Sequence, residues 1–255
     1  MGAEIVRYAM LHRLTPNVYY SEHQEATDRP ALGYIQGTRA SLMVDAGNSP
    51  QHARQFLDLL ASAQLPPPSH IVLTHWHWDH CYGLCALPGI SYAGTKTNQM
   101  LCRMCDWQWS DEAMKKRLDT GEDVIFCDHF IRKEYPDRSQ IQVCCAQVEF
   151  DGKLTIDLGG LHAICLPVEN SHSPDCIVVL VPEAEIIFLG DSYSLDFHHG
   201  KPHFDPTLLS AYRNALEGLP FQRAVLGHGA PKTREELFAF VDEKIQNPLL
   251  RTSML

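Results

Sequence analysis

The run His75-Trp76-His77-Trp78-Asp79-His80 constrains this chain more than any other feature. It follows Ile71-Val72-Leu73-Thr74, a short apolar stretch that reads as a buried strand, so it stands where a strand ends and the backbone must turn. Four potential ligands close together can converge on one point there. Neutral imidazole and carboxylate are donors that divalent Zn, Fe or Mn accept.

Around this run the chain alternates β-rich and helical stretches. Short strands are predicted at Asn17–Tyr20, Ala31–Ile35 and Ser41–Val44, the last ending in Asp45-Ala46-Gly47, each bounded by turn residues. Ala53, Phe56, Leu57, Leu60 and Ala61 recur at helical spacing until Pro66-Pro67-Pro68 stops them, and Cys81 to Leu87 reads as a short helix. From about 91 to 140 the pattern changes: a helix from Thr95 to Leu118, then a charged, irregular stretch to Arg138. Strands resume from Gln140 to Phe150, Lys153 to Asp157, Leu161 to Leu166, Cys176 to Val181 and Glu185 to Leu189. Helices over Pro206–Glu217 and Thr233–Gln246 flank a strand at Phe221–Leu226. Two clusters of strands, each followed by helices, suggest two packed sheets with helices outside. The 255 residues read as a single domain spanning 1–255, with a lid-like insertion at about 91–140.

The ligand run and the motifs after it resemble the metallo-β-lactamase superfamily, whose hallmark is His-x-His-x-Asp-His at a strand end. Asp45 matches the early acidic residue, His172 in Asn170-Ser171-His172-Ser173-Pro174-Asp175 the third histidine, Asp191 in Phe188-Leu189-Gly190-Asp191 the bridging acid, and His228 in Leu226-Gly227-His228-Gly229 the last histidine. The resemblance spans roughly residues 17 to 230. It implies an α/β fold, the αββα sandwich of two mixed β-sheets flanked by helices. It also implies a dinuclear site, with one metal held by His75, His77 and His172 and a second by Asp79, His80 and His228, Asp191 bridging both. Two divalent ions, Zn first and Fe or Mn by the same donor chemistry, would activate a shared water as hydroxide for attack on a carbonyl or phosphoryl centre. Asp79 would be a ligand that also relays the proton, Asp45 would orient a ligand from behind, and Tyr193 would donate a hydrogen bond to the developing oxyanion.

Departures from the family narrow the expected function. No Cys stands on any of the seven ligand positions, unlike lactamases with a Cys ligand. The stretch after His228 has room for one helix and a tail, less than the region with which glyoxalase II grips glutathione. The insertion should wall the pocket, with Trp107, Trp109, Phe126 or Tyr135 as apolar contacts; Trp76 and Trp78 are expected beneath the site, and His198, His199 and His203 could rim it. A formal charge of −10 argues against a nucleic-acid partner, and no apolar run is long enough for a membrane span. Met1–Arg7 has no signal-peptide pattern, and nine Cys, an odd number, fit reduced thiols, so a cytoplasmic location is expected. Cys81-x3-Cys85 with Cys102-x2-Cys105 loosely resembles zinc-ribbon spacing, although buried thiols are the default. The expected function is metal-dependent hydrolysis of a small-molecule ester, thioester or lactone, with an anionic substrate and room for a homo-oligomer. A phosphodiesterase, a mononuclear iron dioxygenase of the persulfide type and a non-catalytic binding protein are the alternatives.

Overall fold

The computed structural model describes residues 10–248, so Met1–Arg7 lie outside the described residues. In chain order the strands are β1 (Leu11–Arg13), β2 (Val18–Ser21), β3 (Gly33–Gln36), β4 (Ser41–Val44), β5 (His70–Val72), β6 (Ile90–Gly94), β7 (Val148–Phe150), β8 (Leu154–Asp157), β9 (His162–Pro167), β10 (Ile177–Val181), β11 (Ile186–Phe188), β12 (Arg223–Val225) and β13 (Lys232–Thr233). The helices are α1 (Pro50–Ser62), α2 (Trp78–Cys81), α3 (Thr95–Met104), α4 (Asp111–Thr120), α5 (Ile125–Glu134), α6 (Pro206–Glu217) and α7 (Arg234–Gln246). One sheet runs β1 to β7 in order, antiparallel up to β4 and parallel from β4 onward. The other runs β13-β12-β11-β10-β9-β8, antiparallel except for the β11–β12 pair.

Side-chain alternation explains the layers. Ile35, Leu42, Val44 and Val72 point inward from the first sheet and meet Val179, Val181, Phe188 and Val225 of the second. Their neighbours Tyr34, Met43 and Ile71 point outward onto Phe56 and Leu60 of α1. Val178 and Leu180 likewise point outward onto Leu209, Tyr212 and Leu216 of α6 and Leu237 and Val241 of α7. Strands covered on both faces carry apolar runs rather than alternation, as the sequence of β10 does. Burying one such side chain stabilises the fold by roughly 1.5–3 kcal/mol. Close approach of the sheets needs Gly33, where a Cβ would stand 2.4 Å from the Phe188 ring. The arrangement is the αββα sandwich expected from the sequence.

The insertion departs from expectation in three ways. The predicted Thr95–Leu118 helix is two helices, because Ser110 caps α4 through the Ala113 amide and Asp111 and Glu112 fill its first turn. The stretch read as irregular contains α5, which offers one fully buried apolar residue, Ile131, to the core and is supported by the Arg132–Asp128 ion pair. The predicted Gln140–Phe150 strand is confined to β7. Before it, the Ala146 amide is taken by Asn98 and Cys145 is bonded to Cys102, so that stretch has no strand partner. That Cys102–Cys145 bond also corrects the expectation of uniformly reduced thiols. Close approach of α3 to the returning chain, with Cα atoms 5.1 Å apart, brings the two sulfurs together.

Candidate metal centre

The site lies where the ends of β4, β5, β11 and β12 meet. β5 stops at Val72, and three residues later, at His75, the ligand run begins; α2 starts immediately after His77, and its single turn carries both Asp79 and His80. Asp191 and His228 follow β11 and β12, and His172 stands in the turn between β9 and β10. An Asx-type turn fixes that last position: Asn170 accepts from the amides of His172 and Ser173 at 2.9 and 3.0 Å.

Two groups of donors result. Ligand nitrogens of His75, His77 and His172 lie within 4.8 Å of one another, and so do ligand atoms of Asp79, His80, Asp191 and His228. Asp191 stands between the groups, its carboxylate 3.5 Å from His80 and from His228 and 3.8 Å from His172. Each ring is held from behind. His172 Nδ1 donates to the Leu195 carbonyl at 2.7 Å, which turns its Nε2 toward His77 Nδ1. His80 Nδ1 donates to Asp45 at 2.7 Å, leaving its Nε2 for the centre.

Burial and mutual charge set the ionisation. At His75 and His77 burial drives the pKa well below the ordinary histidine value, and neighbouring imidazoles add to it, so both are neutral donors. Burial opposes charge on Asp79 and Asp191 too, but His80 and His228 against them hold both carboxyls below the usual carboxylate range. Conversely, these carboxylates outweigh burial at the second group's histidines, raising His80 well above its ordinary value and His228 to about 9. Binding a cation would therefore displace protons from His80 and His228.

His75 Nε2, His80 Nε2 and Asp191 Oδ1 are buried without any hydrogen-bond partner, and an unpaired buried polar atom costs about 1–3 kcal/mol. All three point into the same donor groups, so divalent cations fit this donor set. Gly227 completes the cradle: a Cβ there would stand 2.0 Å from Asp191 Oδ1.

A family model described as the metallo-beta-lactamase superfamily matches residues 31–228. The chain belongs to the metallo-beta-lactamase superfamily. Solved structures with the same fold include a metallo-beta-lactamase from Pontibacter korlensis, 15% identical, covering 94% of this chain and 99% of that one at a TM-score of 0.66. The FIM-1 metallo-beta-lactamase from Pseudomonas aeruginosa in its mono-zinc form is 18% identical, covering 94% and 95% at 0.60. A double mutant of the sec-alkyl sulfatase PisA1 is 13% identical at 0.68; 93% of this chain aligns with it but spans only 41% of the sulfatase. No curated protein sequence matches the chain.

Within this superfamily member, other predicted residues take distinct places. Asp45 has left-handed backbone geometry (φ 62°), and its carboxylate accepts from the Thr74 amide at 2.7 Å, the Thr74 hydroxyl at 2.9 Å and His80. It is a positioning residue that ties the ligand run to β4 and does not face the donor centre. Asp45→Asn would face His80 Nδ1 with a single oxygen or an amide donor. Its expected effect is a 10- to 100-fold rise in the metal dissociation constant, measured by competition with a chromogenic chelator. Tyr193 does not serve as the oxyanion donor expected of it: its hydroxyl donates to the His228 carbonyl and accepts from the His228 amide at 3.2 Å, so it fixes the backbone beneath a ligand.

Trp78 is buried beneath the site as expected, but Trp76 is half-buried and lines a cavity together with His77. His198 joins them, its ring centroid 4.9 Å from that of His77. His199 is exposed and bonded to Asp196, and His203 bonds the Lys201 carbonyl. Phe126 stacks on Phe197, which packs against His172. Trp107 and Trp109 sandwich Arg117, Trp107 also lining a small cavity with Trp76, His77 and His198 as expected, whereas Trp109 and Tyr135, the latter buried with its hydroxyl on the Asn48 carbonyl, serve packing.

Two carboxylates escaped the sequence reading. Asp28, in a left-handed turn, lies 3.7 Å from His228 Nδ1, and burial with Asp79 nearby raises its pKa to about 7. Asp175 accepts from the Trp76 amide at 2.9 Å and the Thr97 hydroxyl at 2.8 Å, locking the ligand run to α3 and the His172 turn. Asp175 stands inside the His172 motif, and that proximity was the available signal. Asp28 had none beyond being an acid in a turn.

Proposed function

We propose that the chain is a hydrolase that holds two divalent metal ions, zinc foremost, and cleaves a small anionic ester, thioester or lactone. The observation that carries this reading is the pair of donor groups, buried except for partly exposed His228, three of whose ligand atoms lack any partner, opening through His77 and His172 onto a cavity of 670 Å³. His75, His77 and His172 would hold one ion and Asp79, His80 and His228 the other, with Asp191 between. Imidazole and carboxylate suit zinc, the ion present in the related FIM-1 structure. Bound there, the ions would supply Lewis acidity and an activated water.

The chain's own groups do the rest. Asp79 Oδ2 accepts from His228 Nε2 at 3.0 Å and lies 3.1 Å from His80 Nε2, where it would hold the second ion with both rings and relay a proton. Trp76 and Met100 give the cavity apolar walls, while Lys116 and Arg103 give it cationic ones. Arg103 is paired with Glu122, whereas Lys116 has no ion-pair partner among the described residues. Lys116 is thus the group to receive a substrate carboxylate.

A panel of thioesters, lactones and aryl phosphodiesters, each in anionic and neutral forms, tests the proposal. Turnover should appear in the carbonyl series, and turnover confined to phosphodiesters, or none in any series, would refute it. Lys116→Ala is expected to raise KM about 3- to 10-fold for anionic substrates only, the scale of one partly exposed charge contact.

A further inference from the structure

Five of the nine cysteines gather at the base of the insertion, away from the His/Asp donors. Cys102 and Cys105 lie three residues apart at the end of α3, a spacing that puts both on one helix face. Cys145 comes from the stretch where the insertion returns toward β7. Cys145 is bonded to Cys102, and Cys105 Sγ lies 3.8 Å from Cys145 Sγ. Cys85 and Cys144 lie nearby, Cys85 against the Gln142 carbonyl.

We propose that Cys102, Cys105 and Cys145, when reduced, form a third metal site, a thiolate site for a zinc-class divalent cation that fastens the two ends of the insertion together. Two physical observations carry it. Sulfurs bound tetrahedrally to zinc at about 2.3 Å stand about 3.8 Å apart, the separation of Cys105 and Cys145. The cation would also sit at the C-terminal end of α3, where the helix dipole favours positive charge, with its Cys ligands exposed to solvent. The Cys-x2-Cys pair followed by a third Cys is a usual zinc ligand pattern.

The disulfide and the metal site are alternatives. Two small-molecule thiols reduce the Cys102–Cys145 bond and leave as their own disulfide. The three protein thiols then each lose a proton as the cation binds, and water fills the fourth position. Met100 and Arg103 of α3 line the cavity of the proposed active site, so the clamp would steady that wall. The site itself does not depend on the proposed hydrolase activity.

Cobalt substitution tests it. The His/Asp donors contain no sulfur, so a thiolate-to-cobalt charge-transfer band in the near ultraviolet reports cysteine ligation, and variants assign it to these three cysteines. The full chain, reduced with a phosphine and titrated with Co²⁺, should develop that band. His75→Ala should keep it, and the combined Cys102→Ser, Cys105→Ser and Cys145→Ser variant should lose it while retaining its circular dichroism. Absence of the band in the reduced wild type, or its persistence in the triple variant, would overturn the proposal.

Discussion

Asp79→Ala is expected to lower kcat on the best substrate of the panel by about 10²–10³-fold, the scale on which a principal transition-state stabiliser acts. The reason is the position of one oxygen. Asp79 Oδ2 lies beside both His80 and His228, so its removal would take away a candidate ligand of the second ion, the anion next to both rings, and the group assigned to relay a proton. Metal analysis should show the second equivalent lost with the first retained, since Asp79 belongs to the donor group of His80, Asp191 and His228 and not to that of His75, His77 and His172. Unchanged kcat would rule out the proposed role of this carboxylate. Asp79→Asn separates charge from shape: it keeps the volume, removes the anion, and should be nearly as inactive.

Stripping the protein of divalent ions should lower its melting temperature by about 10 °C. A ligand present at about 1,000 times its dissociation constant stabilises the native state by about 4 kcal/mol. For a domain of this size each kcal/mol is worth about 2–4 °C. Here the effect has a structural source, because orphaned His75, His80 and Asp191 atoms regain partners only with a cation bound. A calorimetric scan with and without chelator checks this, and re-addition of Zn²⁺ should restore the higher transition. Equal transitions would mean that the donor groups are satisfied without metal.

The donor residues were legible in the sequence because the ligand run is dense and the later motifs follow in order, each after an apolar strand. Inner and outer sheet faces were legible for the same reason, since β3, β4 and β10 alternate or run apolar in the period that burial demands. What stayed hidden depends on contacts between distant segments. Asp28 reaches His228 across the fold, and α5 is held by ion pairs such as Arg132 with Asp111, rather than by a strong apolar stripe. Tyr193 was misread because a loop tyrosine beside a ligand looks the same in sequence whether its hydroxyl faces substrate or backbone. Only the placement of His228 decides that.

The dinuclear reading is tested most directly by counting metal on a chain from which the cysteine cluster has been removed. Protein carrying Cys102→Ser, Cys105→Ser and Cys145→Ser, purified without chelator and measured by plasma mass spectrometry, should hold two equivalents of divalent metal per chain, falling to one with Asp79→Ala added. A single equivalent of iron in the parent, or none, would contradict the account.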